Sequence, residues 1–133
     1  MNRAPGAVLD RDLMKVVVAD DSELALAIVR DLFEAIGAEV HTIPSAIGLS
    51  GLLHRVQPDV VVLDVNMPAI RGDEAVVTVR RLCPRATVVL FSDDKQAHEH
   101  ARAHGIAWVS KADPELLVSA VLRQATKDGG TKR

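Results

Sequence analysis

Asp20 and Asp21 directly follow the run Val16-Val17-Val18-Ala19, and Asp64 directly follows Val60-Val61-Val62-Leu63. Ser92 closes a third run, Thr87-Val88-Val89-Leu90-Phe91, and Lys111 comes after a less apolar stretch at Ile106–Ser110. Carboxylates crowded together raise one another's pKa and oppose folding unless a cation neutralises them. Hard oxygen ligands with room for water suit Mg²⁺ or Mn²⁺, and no thiolate or histidine cluster stands there to favour zinc. A carboxylate is already ionised at neutral pH, so it can attack phosphorus without a separate general base and form an acyl phosphate. The Lys111 ammonium and the cation would neutralise charge on the equatorial phosphoryl oxygens in the transition state. The Ser92 hydroxyl could donate a hydrogen bond to the same oxygens.

Each residue also has a plainer role open to it. Asp64 could cap a loop, Asp20 could be the N-cap of the first helix, Ser92 could cap the fourth helix, and Lys111 could be a solvated surface lysine. His98, His100 and His104 lie on one helical segment but lack the carboxylate–histidine pattern of a catalytic zinc site. They read as a solvated face that becomes more basic near about pH 6. Cys83, before Pro84 and outside any C-x-x-C, reads as structural.

The elements that must position these residues follow from periodicity. The valine-rich runs are unbroken rather than alternating, as expected of strands buried on both faces of a parallel sheet. Weaker strands are predicted at Glu39–Ile43 and Ile106–Ser110. Leu24, Ile28, Leu32 and Ile36 form one ridge of a first helix and Ala25, Val29 and Phe33 the next, with Gly37 suited to its left-handed end. Further helices are predicted at Ser45–Arg55, Asp73–Leu82, Lys95–His104, closed by Gly105, and from Pro114 to about Lys127 with Asp113 as N-cap. The fourth offers only Ala97, Ala101 and Ala103 to a core, which implies weak anchoring and a place among switching segments.

This order is an α/β, (βα)5 doubly wound, flavodoxin-like fold with a five-stranded parallel sheet in the order 2-1-3-4-5. In such sheets ligands bind outside the carboxyl ends of the strands, and this strand order makes the first and third strands neighbours. Residues 1–12 read as a flexible arm, 13–127 as the folded domain and 128–133 as a flexible tail.

The totals are consistent with one domain. The chain has 133 residues, 48% of them hydrophobic but only 2% aromatic, so the core must be aliphatic. A net charge of −2 argues against nucleic acid as the main partner. One cysteine and no long apolar run lead to the expectation of a cytoplasmic protein without membrane contact.

At these positions the sequence resembles the receiver domain of bacterial two-component response regulators, of the stand-alone chemotaxis-regulator kind. The matching text is V-V-V-A-D-D ending at Asp21, V-V-L-D-V-N-M-P-A-I-R-G from Val61 to Gly72, V-V-L-F-S ending at Ser92, and W-V-S-K ending at Lys111. The resemblance spans about Lys15 to Lys127. It implies phosphorylation of Asp64 by a phosphohistidine on a sensor histidine kinase or histidine phosphotransfer protein. It further implies direct metal ligation by Asp21, Asp64 and the Asn66 backbone carbonyl, with Asp20 acting mainly through water. Ser92 would be the switch hydroxyl, and Trp108 takes the place of the switch aromatic, usually Tyr or Phe. The output face would be the fourth helix, fifth strand and fifth helix, which could also form a homodimer. Nothing beyond self-phosphorylation and dephosphorylation is implied as enzymatic activity. Output is expected through protein contact or onward phosphotransfer to a downstream protein.

Three positions depart from the family pattern. Asp93 replaces the usual Ala or Gly after the switch hydroxyl, where a carboxylate would narrow the entry path and slow labelling by small phosphodonors, an effect Asp93→Ala would relieve. Ala112 replaces the proline that usually follows the lysine in a cis peptide; a cis bond without proline costs about 2.5–4 kcal/mol, so a trans bond and a shifted loop are expected. Trp108 is too bulky to turn inward cheaply and is expected to stay outward as a contact for a partner. Asn66 and Asp94 flank the site where an attacking water would sit and are candidates for setting the acyl-phosphate lifetime. The competing function is a degenerate receiver that binds partners without phosphorylation. Dinucleotide and P-loop enzymes are excluded by the absence of their glycine-rich motifs, and an aspartyl-phosphate phosphatase would carry Asp where Asn66 stands.

Overall fold

A computed structural model describes residues 13–68, 70 and 73–130, with the backbone alone for 125–130. The expected arm at 1–12, residues 131–133 of the expected tail and Gly72, which ends the matched segment from Val61, lie outside the described residues, whereas residues 128–130, also expected as tail, continue the last helix.

Five strands alternate with five helices: β1 (Lys15–Ala19), α1 (Glu23–Glu34), β2 (Glu39–Ile43), α2 (Leu49–Val56), β3 (Val60–Leu63), α3 (Glu74–Leu82), β4 (Thr87–Phe91), α4 (Lys95–His104), β5 (Ala107–Val109) and α5 (Leu116–Gly130). All strand pairs are parallel, in the predicted order β2-β1-β3-β4-β5. The central strands are buried throughout β3 and β4, which explains why their sequences show no polar alternation.

Alternate side chains of each strand feed two cores. Val16, Val18, Val60, Val62, Val89, Phe91 and Val109 pack with Phe33 and Val29 of α1 and Leu117 and Val121 of α5. Val17, Ala19, Val61, Leu63, Val88 and Leu90 pack with α2, α3 and the small residues of α4. The helices therefore cover both faces, and the loops after β1, β3, β4 and β5 share one edge.

Several local expectations change. The buried face of α1 is Ala25, Leu26, Val29 and Phe33, whereas Leu24 and Ile36 are exposed. Ser22, not Asp20, caps this helix, accepting from the Ala25 N–H. Gly37, at φ +88°, lies in the left-handed region, as its position after the helix predicted. α2 begins at Leu49 rather than Ser45, because Gly48 stands at φ +86° and a left-handed residue cannot continue a helix. α5 is entered two residues after Pro114 through a tight turn in which Leu116 and Leu117 donate to the carbonyls of Asp113 and Pro114. On α4, Ala97 and Ala101 are buried but Ala103 is exposed, so the helix is anchored by two methyl groups. Among the described residues, no helix is long and apolar enough to cross a membrane.

Candidate functional site

The sheet hydrogen bonding runs one residue past the strands, and that extra residue is in each case a site residue. Asp20 N–H donates to the Ile43 carbonyl (3.1 Å), Asp64 N–H to Ala19 (3.0 Å) and Ser92 N–H to Val109 (3.1 Å). The backbone beneath the site is thus fixed by the ladder before any side chain is placed.

The side chains then converge. Asp20, Asp21 and Asp64 each offer one oxygen, and these lie within 4.8 Å of one another. Among the described residues they are the one group of three such side chains placed to share an ion. Asp20 and Asp64 are only 1% and 4% exposed, while Asp21 is exposed. Lys111 Nζ stands 2.9 Å from Asp20 Oδ2 and 3.2 Å from Asp64 Oδ2, and 5.9 Å from the centre of the Phe91 ring. The remaining oxygens are also used: Asp20 Oδ1 accepts from Ser22 N–H at 2.9 Å, and Asp64 Oδ1 from Asn66 N–H at 3.0 Å. The Asp20 bond creates a tight turn just before α1, so Asp20 shapes the helix entry without being its cap.

Burial pushes the Asp20 carboxyl above the ordinary carboxylate range; the Lys111 hydrogen bond pulls it down, and the charge of Asp64 adds to the rise. Burial would lower the Lys111 ammonium, but the hydrogen bond and charge of Asp20, with those of Asp64, outweigh it and hold Lys111 above the usual lysine value. The two directions agree: three carboxylates face one ammonium, and the pocket remains short of positive charge. An all-oxygen donor set with an excess of negative charge fits a hard divalent cation. A raised carboxyl pKa means the charged form is disfavoured in the fold, a cost that sets in as pH rises above 3.8 and is complete above the raised value. Asp20→Asn is therefore expected to raise the thermal midpoint at pH 7 in chelator while weakening divalent-cation binding. A lower midpoint in chelator would show that the Lys111 contact outweighs desolvation.

The peptide bonds of the described residues are all trans, including the one after Lys111, and Lys111 nonetheless reaches both buried carboxylates. Ser92 is buried; its Oγ accepts from Asp94 N–H at 3.0 Å, and Asp94, not Ser92, caps α4 through Gln96 N–H at 2.8 Å. Trp108 is outward, 37% exposed, with its indole N–H donating to the Ser92 carbonyl at 2.9 Å. Of the three histidines grouped as one solvated face from sequence, His98 and His104 have separate contacts. His98 lies against the Trp108 ring with centroids 5.1 Å apart, and His104 Nε2 stands 3.6 Å from Asp73 Oδ2. Cys83 is buried, its thiol directed at the Leu53 carbonyl at 3.8 Å and pushed up in pKa by burial.

Sequence reasoning missed Ser110, whose hydroxyl donates to Asp93 Oδ1 at 2.8 Å, and the use of Asp93 to hold the Lys111 N–H at 2.9 Å. The available signal was their placement just past the ends of two adjacent strands, β4 and β5.

Comparison with known proteins agrees with this geometry. Residues 16–122 match the family model of the response regulator receiver domain. The chain is 33% identical over 86 residues to a protein-glutamate methylesterase/protein-glutamine glutaminase of Clostridium acetobutylicum, covering 62% of this chain and 25% of that protein. It is 28% identical over 123 residues to the uncharacterized transcriptional regulatory protein YxjL of Bacillus subtilis, covering 85% and 55%. The chain thus spans about a quarter to a half of these relatives. Among solved structures, the chemotaxis protein CheY4 of Vibrio cholerae superposes with a TM-score of 0.74 at 25% identity, covering 84% of this chain and 98% of that one. A CheY-like receiver domain protein of Methanospirillum hungatei shares the fold with a TM-score of 0.79 at 16% identity, over 90% and 99%. With the acidic pocket and its lysine at the carboxyl edge of a 2-1-3-4-5 sheet, the chain belongs to the response regulator receiver domain family.

Proposed function

We propose that Asp64 is the phosphoacceptor of a two-component phosphorelay, taking its phosphoryl group from a phosphohistidine on a sensor histidine kinase or histidine phosphotransfer protein. The observation that carries this reading is the Lys111 ammonium bridging Asp20 and Asp64 beside Asp21. One Asp64 oxygen forms a bond to phosphorus as the P–N bond of the donor breaks. The electron pair returns to the imidazole nitrogen, which takes up a proton. Lys111 neutralises charge on the phosphoryl oxygens as that bond exchange proceeds. Asp20, Asp21, Asp64 and the Asn66 carbonyl would hold Mg²⁺ or Mn²⁺, which supplies further countercharge to the same oxygens.

Ser92 then reports occupancy of the site, its hydroxyl having a proton to donate as well as the lone pair that meets Asp94 N–H. The signal leaves through the α4-β5-α5 face, where Trp108 and His98 are the exposed contact and where a second copy could pair. Asn66 and Asp94 tune the lifetime of the acyl phosphate, and the charge of Asp93 tunes access by anionic donors. The setting is cytoplasmic signalling with a downstream protein target.

The test is transfer from a radiolabelled histidine kinase in Mg²⁺ and in chelator, to the wild type and to Asp64→Asn. Label is expected only with Mg²⁺ and only on the wild type. Equal labelling of Asp64→Asn would reject Asp64 as acceptor, and no labelling by any phosphohistidine donor would favour the phosphorylation-independent binding module.

A further inference from the structure

The carboxylate at position 93, where the family usually has a small residue, holds the loop that carries Lys111. Asp93 Oδ1 accepts both from Ser110 Oγ, at 2.8 Å, and from the backbone N–H of Lys111, at 2.9 Å. Ser110 Oγ in turn accepts from Ala112 N–H at 3.1 Å, and Asp113 N–H closes a turn on the Ser110 carbonyl at 3.0 Å. On its other side Asp93 is continuous with the buried Ser92, which is bonded to β5 through Val109 and Trp108. The segment 92–93 therefore grips 108–111 from both backbone and side chain.

The loop needs such a grip. The peptide after Lys111 is trans and precedes alanine, so no proline ring restricts the backbone there. Lys111 has a long, flexible stem, and a small change in where its backbone starts moves the ammonium away from two carboxylates it meets at 2.9 and 3.2 Å. A carboxylate accepting a backbone N–H is among the stronger hydrogen bonds available.

We propose that Asp93 is a positioning residue, clasping Ser110 and the Lys111 backbone so that the Lys111 ammonium is held over Asp20 and Asp64. Its kinetic consequence rests on the reading of Asp64 as phosphoacceptor; the clasp itself does not. Asparagine keeps an oxygen able to accept both bonds but removes the charge, whereas alanine removes both. The comparison of Asp93→Asn with Asp93→Ala thus isolates the clasp from electrostatic repulsion of the donor.

Two measurements on the wild type and both variants test it: hydrogen exchange of the Lys111 amide without donor, and labelling by acetyl phosphate titrated to saturation in Mg²⁺. Asp93→Asn is expected to keep the amide protected and to label at a saturating rate close to that of the wild type, reaching half of it at a lower donor concentration because its charge is gone. Relative to Asp93→Asn, Asp93→Ala is expected to exchange about tenfold faster at Lys111 and to label about tenfold more slowly, as for loss of one well-placed hydrogen bond. Equal exchange in the two variants, or unequal exchange with equal saturating rates, overturns the proposal. If none of the three proteins labels, the phosphoacceptor reading fails, and the exchange rates still decide whether the clasp exists.

Discussion

Lys111→Met is expected to slow phosphorylation of Asp64 by about 10²–10³-fold, the usual cost of removing one preorganised group that meets developing charge. Methionine keeps much of the stem and its packing, so the loss isolates the ammonium. The same substitution leaves Asp20 and Asp64, 2% and 4% exposed at their side chains, without the cation they face. The Lys111 side chain is 24% exposed, so solvent already screens part of its attraction. A stability loss on the order of 1–3 kcal/mol in chelator is expected, as for a buried hydrogen bond to a charged partner. Because the Lys111 pKa lies above its ordinary 10.5, its contribution is complete below that value while Asp20 and Asp64 are ionised, and is lost as pH rises through the raised one. Neutral assays therefore read it in full. Added Mg²⁺ should raise the thermal midpoint of Lys111→Met by more than that of the wild type, since a bound cation replaces the missing countercharge. Equal Mg²⁺ increments would mean that Lys111 does not neutralise the metal-binding carboxylates.

Phe33→Ala is expected to cost about 3–5 kcal/mol, read from the midpoint of urea unfolding. The ring is fully buried, packed with Val16, Val18 and Val29 and with residues of α5 in the face that carries α1. Apart from Phe91 the side chains of this core are aliphatic, and they cannot close around a hole of that size. Against a total of about 5–15 kcal/mol for a domain, that loss is a large share of the stability. A loss below about 1 kcal/mol would show that α1 collapses onto the sheet without strain, contrary to the packing described here.

The strands and the acidic pocket were legible because they obey short-range rules. A parallel strand buried on both faces is an unbroken apolar run, and a carboxylate directly after such a run must stand at the carboxyl edge of the sheet. Asp20, Asp21, Asp64 and Lys111 followed from that logic once the strand order was known. How far the buried face of α1 extends did not follow, because two apolar ridges lay side by side and the crossing geometry of α1 on the sheet decides which positions reach the core; Leu32 packs against it, whereas Leu24, 70% exposed, and Ile36 lie outside. The caps went to Ser22 and Asp94 rather than Asp20 and Ser92, each two residues later, because the earlier residue still extends the strand ladder. The roles of Asp93 and Ser110 depended on side-chain direction across two loops that are distant in sequence. An acidic residue near an entrance suggests repulsion, and only its hydrogen bonds show it holding a neighbouring loop. The same holds for His98, which sequence places on a solvated face and the fold places against Trp108.

The most direct measurement of the central claim is peptide mapping of the phosphorylated protein after transfer from a histidine kinase in Mg²⁺. The adduct is expected on the peptide containing Asp64 alone, stable to mild acid, labile to base, and absent from Asp64→Asn. An adduct of the same lability on a peptide lacking Asp64, or one that persists in Asp64→Asn, would contradict the assignment of Asp64 as the phosphoacceptor.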